Sequence, residues 1–132
     1  MQIDHIAIAV AELDAALETF KTLYGLEPDR TERIDSDKVT EAMLPLGDTH
    51  LQLLEPTDAD STVAKYIERR GEGLHHIAIR VDDIEATLAH LKANGARLLD
   101  ETPRIGGGGH RVAFVHPKTT NGVLIELVES VG

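Results

Sequence analysis

A chain of 132 residues suffices for one domain with a sizeable core, and its lack of cysteine excludes thiolate catalysis, cysteine-based zinc sites and disulfide staples. A net charge of −10, from 23 acidic against 13 basic residues, argues against nucleic acid or an anionic membrane as partner. The opening MQIDHIAIAV lacks a basic start and a long apolar run, and no apolar segment approaches the roughly 20 residues that span a bilayer, so a cytoplasmic location is expected.

In chain order, residues 2–10 read as an apolar strand with a period of two. A helix follows, its apolar stripe formed by Leu13, Leu17, Phe20 and Tyr24 and its end marked by Gly25. Strands are expected around 28–34, 38–46 and 49–55. Ser61 caps a short helix to Arg70 that turns Val63, Tyr66 and Ile67 inward, and Gly71–Gly73 form a hinge. The pattern then starts again. A strand at 75–81 precedes a helix capped by Asp82 or Asp83, with Ile84, Leu88 and Leu91 as its stripe and Asn94-Gly95 as its stop. Further strands are expected around 97–101, 110–115 and 122–129.

The restart is a true repeat. HIAIAVAELDAALETFK at 5–21 matches HIAIRVDDIEATLAHLK at 76–92 with eight of seventeen positions identical at an offset of 71. LQLLE at 51–55 matches IELVE at 125–129 at an offset of 74, so the opening and the close of the unit recur in the same order. The fold is therefore expected to be α+β, one domain of two tandem βαβββ modules: module 1 at about 1–57, a linker helix at about 61–72 and module 2 at about 73–132.

Strand alternation sorts the side chains. Ile6, Ile8 and Val10 face the helix of their module, leaving His5 with Ala7 and Ala9 on the other face; Ile77, Ile79 and Val81 likewise leave His76 with Ala78 and Arg80. In the closing strands, Leu51 and Leu53 isolate Gln52, and Ile125 and Leu127 isolate Glu126. Any one of these polar residues reads most simply as a hydrogen-bonded strand residue, although a carboxylate at Glu126 is costly to bury unpaired. Their equivalent placement in two repeats changes the balance. Two imidazoles, a carboxylate and an amide suit a divalent ion of intermediate hardness, and four protein ligands leave two octahedral positions open for chemistry. His75 points to the opposite face and is expected to make no metal contact.

The segments DHIAIAV, VTEAMLPLG, LQLLEP, STVAKYI, GLHHIAIRVDDI, PRIGGGGHRVAFVHPK and GVLIELVE resemble the vicinal oxygen chelate superfamily, and within it the enzymes that epimerise methylmalonyl-CoA, over essentially the whole chain. That resemblance implies paired modules whose mixed sheets form a half-open barrel around a metal site. It implies His5, Gln52, His76 and Glu126 as metal ligands, with Co2+ first and Mn2+, Ni2+ or Zn2+ as alternatives. It implies Glu41 as the acid/base that exchanges the α-proton of the acyl-CoA substrate, by way of a metal-stabilised enolate that links the (R) and (S) forms. The second acid/base falls on Glu126, with a water or His110 as rivals. On its own Glu41 reads as a solvated strand residue, and Asp35 and Asp37 compete with it. Gly107 and Gly108, His110 and Lys118 are candidate substrate contacts, Lys118 for a CoA phosphate or merely for solvent. A homodimer is expected. The alternatives are a lactoylglutathione-lyase type of isomerase and a non-enzymatic small-molecule binder of the same superfamily.

Overall fold

A computed structural model describes residues 1–130. The chain divides into two compact units, His5–His75 and Met1–Asp4 together with the chain from His76 onward. The boundary crosses β1 (Gln2–Ala9) and β5 (Gly73–Val81). The first unit adds α1 (Leu13–Tyr24), β2 (Arg30–Ile34), β3 (Val39–Leu46), β4 (Thr49–Pro56) and α2 (Thr62–Arg70), with strand order β2-β3-β4-β1. The second adds α3 (Ile84–Ala93), β6 (Arg104–Ile105), β7 (Arg111–Val115) and β8 (Ile125–Glu129), with strand order β5-β8-β7-β6. Among the described residues, three α-helices and eight strands thus bear out the α+β class, the mixed sheet and the repeated βαβββ pattern.

Strand register confirms the repeat residue by residue. β1 runs parallel to β4 with Ile6 opposite Leu51, Ala7 opposite Gln52 and Ile8 opposite Leu53. β5 runs parallel to β8 with Ile77 opposite Ile125, Ala78 opposite Glu126 and Ile79 opposite Leu127. The offsets of 71 and 74 therefore describe one ladder built twice. Ile8, Val10, Leu51 and Leu53 pack with Leu13, Leu17 and Phe20 of α1, and Ile79, Val81, Ile125 and Leu127 pack with Ile84, Leu88 and Leu91 of α3. Apolar burial on these faces fixes the register, because a slip of one residue would turn every donor into the core.

The repeat also carries a device that joins each closing strand to its own helix. The Leu13 amide donates to Glu55 Oε2 over 2.6 Å, and the Ile84 amide donates to Glu129 Oε2 over 3.1 Å. Each glutamate lies at or next to the end of its strand and meets the positive end of the helix dipole, satisfying an amide that has no partner within the helix. For α1 the contact matters more, since its own N-cap, Glu12, makes no side-chain cap, whereas Asp83 of α3 accepts from Ala86. Glu55→Ala is expected to lower stability by roughly 1 kcal/mol in denaturant unfolding; an unchanged midpoint would mean that the bond contributes nothing. Gly25 ends α1 in the left-handed region at φ 68°, and Ser61 caps α2 by accepting from the Ala64 amide, both as expected.

One segment differs from expectation. Residues 97–101 form no strand: Leu98 makes a single bridge to Val115, and the Asp100 carboxylate takes the Phe114 amide at 2.9 Å, so a side chain occupies the place of a ladder partner. The outer strand is instead the two-residue β6, beyond Pro103. As expected, Val63, Tyr66 and Ile67 of α2 turn inward, where they pack over Ala7, Ala9 and Leu54 on the face of β1 turned from α1. Among the described residues no helix is long and apolar enough to cross a membrane.

Candidate metal centre

In the first unit the ladder gathers polar groups onto one face. Ala7 and Met43 flank Gln52 on its two sides, and Glu41 lies opposite Leu54, so by the pleat Gln52, Glu41 and His5 share a side of the sheet. All three are buried, Glu41 to 2% exposure. The Gln52 amide Nε2 donates to Glu41 Oε1 at 2.9 Å. Arg30, opposite Met43 on the neighbouring strand, brings its Nη2 to 2.7 Å from Glu41 Oε2, and its other terminal nitrogen donates to Glu32. A buried carboxylate therefore has a charged partner on one oxygen and an amide donor on the other. Burial raises the Glu41 proton affinity above its ordinary value, while Arg30, then His5 and the Gln52 hydrogen bond pull the other way.

In the second unit His76 Nε2 lies 3.1 Å from Glu126 Oε1, both buried. Phe114 shares the rung of Glu126 and sets its ring at 89° to the His76 imidazole, with centroids 5.3 Å apart. Arg104 stacks over the outer side of Phe114 at 5.5 Å. The imidazole plane is thus braced by an aromatic wall that excludes water.

The donors fit a divalent ion. His76 and Glu126 of the second unit offer two buried ligand atoms 3.1 Å apart, and His5 of the first unit offers a buried imidazole. Gln52 supplies a further sign: its Oε1 is buried with no hydrogen-bond partner among the described residues, while its Nε2 is committed to Glu41. An acceptor left bare in this way costs free energy unless something else takes it. Two neutral imidazoles, a carboxylate and an amide oxygen are donors a mid-series divalent metal accepts.

The remaining candidates are placed apart. Asp35 and Asp37 lie on the β2–β3 turn, where Asp35 is exposed and pairs with Arg33. Gly107–Gly109 form a short 3-10 turn before His110, whose Nδ1 is buried without a partner; Gly106 is needed there because a Cβ would stand 2.9 Å from Val112 Cγ2. Lys118 is exposed in a second 3-10 turn beyond the other end of β7. His75 packs edge-on against Tyr66. Arg30 is the site residue that sequence reading misses, because nothing local marks its partner; only the β2–β3 register brings it to Glu41.

Residues 4–114 match the Glyoxalase/Bleomycin resistance protein/Dioxygenase superfamily, and the chain belongs to that family. Among curated proteins it is 38% identical to the ethylmalonyl-CoA/methylmalonyl-CoA epimerase of Cereibacter sphaeroides, over 96% of each chain. Among solved structures it superposes on a Streptomyces coelicolor methylmalonyl-CoA epimerase variant in complex with 2-nitronate-propionyl-CoA, with a TM-score of 0.94 and 44% identity over 100% of this chain and 96% of that one. A hypothetical protein from Bacillus halodurans C-125 gives a TM-score of 0.96 at 38% identity, over 99% and 95% of the two chains. The likeness read from the sequence motifs is borne out at both levels, superfamily and epimerase.

Proposed function

We propose that the chain interconverts the (R) and (S) forms of methylmalonyl-CoA, with His5, Gln52, His76 and Glu126 as ligands of one divalent ion, Co2+ first. The observation that carries this is Glu41: a carboxylate buried to 2% exposure, bonded to the amide of a candidate ligand and holding its proton more tightly than an exposed one. A raised proton affinity suits a group that takes a proton and returns it.

The α-carbon of methylmalonyl-CoA lies between a thioester and a carboxylate, so its proton is the acidic one. A divalent ion bound by the donor set supplies positive charge for the oxygens of the deprotonated substrate. Glu41 takes or returns the α-proton on one face, its oxygens fixed by Gln52 and Arg30. Glu126 serves the other face, beside the braced imidazole of His76. Apolar residues around the donors keep water from the carbanionic substrate. Gly107, Gly108 and His110 contact the acyl-CoA at one end of β7 and Lys118 at the other. A cytoplasmic homodimer completes this reading, carried over from the family likeness. The lyase and non-enzymatic readings are less favoured: lactoylglutathione lyases match over nearly the whole chain at 32–33% identity, against 38% and 44% for the two epimerases described above.

Supplying a single epimer of methylmalonyl-CoA to metal-loaded protein is expected to yield the mixture of both; persistence of the pure epimer would refute the reading. The pH profile gives a second check. Ionised Glu41 is the form that accepts a proton, so turnover limited by it rises with pH, through a midpoint above the ordinary carboxylate value of about 4.3. Arg30 is the strongest influence lowering that midpoint, so Arg30→Met is expected to move the limb to higher pH. An unmoved limb would assign it to another group.

A further inference from the structure

The two closing strands differ at one donor: β4 supplies Gln52 where β8 supplies Glu126, each opposite an alanine in the same register. An ion does not require the amide, because a carboxylate is the stronger oxygen donor for a divalent metal. The neighbouring strand does. Glu41 stands opposite Leu54 in the first unit, and Val112 stands opposite Val128 at the equivalent place in the second. Glu126 therefore has an apolar neighbour where Gln52 has a buried carboxylate. A carboxylate at 52 has no N–H to donate to Glu41, so two acceptor oxygens would face each other where the amide now donates over 2.9 Å in a buried site. The amide orientation is fixed by the same contact, since only Nε2 can donate to Glu41, which leaves Oε1 buried and unpartnered.

We propose that Gln52 is a two-ended connector, its Oε1 a metal donor and its Nε2 the donor that positions Glu41, so that the amide at this position is demanded by the base and not by the ion. This rests on the reading of Gln52 as ligand and Glu41 as base. Arg30 completes the clamp by fixing the other carboxylate oxygen.

The test uses Gln52→Glu and the exchange variant Gln52→Glu/Glu41→Gln, each followed by calorimetric titration with Co2+, thermal unfolding of the metal-free protein, and kcat and KM. Gln52→Glu is expected to bind one Co2+ per chain, yet to unfold roughly 5 °C lower than the parent without metal. Its kcat is expected to fall about 100-fold with KM changed less than about 3-fold. In the exchange variant the amide at 41 donates to the carboxylate at 52 and accepts from Arg30. It should recover most of the lost unfolding temperature and bind Co2+, with no return of turnover. The proposal is overturned by Gln52→Glu with parental kcat and unfolding temperature, by Gln52→Glu that binds no Co2+, or by an exchange variant no more stable than Gln52→Glu. If Gln52→Glu does not fold, a folded exchange variant supports the pairing and an unfolded one refutes it. Failure of the unaltered protein to turn over methylmalonyl-CoA would remove the substrate assignment alone, because the unfolding and Co2+ arms read the pairing independently.

Discussion

Glu41→Gln is expected to lower kcat by roughly 10²–10⁴-fold while the protein keeps its metal. The substitution preserves side-chain size in a site where Glu41 is buried to 2% exposure, so no cavity opens. The new amide oxygen can accept from Gln52 Nε2 as before, while its NH2 replaces the oxygen that pairs with Arg30, so that ion pair is lost. What disappears with it is the acceptor for the α-proton. The two measurements belong together: metal content by elemental analysis and turnover on a single epimer. Loss of turnover with full metal assigns the proton transfer to Glu41. Turnover within a few-fold of the parent would move the base elsewhere, and loss of metal would make Glu41 a support of the donor set instead.

His5→Ala is expected to cost more than about 100-fold in metal affinity, because even partners that merely orient a ligand cost 10–100-fold when removed. His5 is buried on a strand whose neighbours on the same face are the fully buried Ala7 and Ala9, and His50, opposite it on β4, is held by Asp29. His75→Ala is the matching control. His75 packs against Tyr66, and its loss is expected to leave metal stoichiometry unchanged. Equal Co2+ binding by His5→Ala and the parent would remove His5 from the site.

The parts of the fold and site that could be read in the sequence are those set by local periodicity. Alternation in HIAIAV and HIAIRV placed Ile8 and Ile79 against the helices, and the matched LQLLE and IELVE anticipated the register that sets Gln52 and Glu126 opposite Ala7 and Ala78. The parts that could not be read depend on pairing across distance. Glu41 looks solvated within VTEAML until the β3–β4 register turns it to the face of Gln52, and Arg30 meets it only through the β2–β3 register. The Glu55 and Glu129 contacts with the helix starts span 42 and 45 residues. The missing strand at 97–101 has a different cause, since Asp100 spends its side chain on the Phe114 amide and no pattern of hydropathy reports that.

The central claim is that this chain removes and returns the α-proton of methylmalonyl-CoA with a buried glutamate at a metal centre. Incubation of Co2+-loaded protein with methylmalonyl-CoA in D2O, followed by proton NMR of the α-position, reads that step directly. The expected result is rapid loss of the α-proton signal with the loaded protein, negligible loss with metal-free protein, and with Glu41→Gln no loss from the epimer whose α-proton faces residue 41. An α-proton signal that persists in the presence of fully loaded protein, or that decays equally fast without metal, would contradict the account.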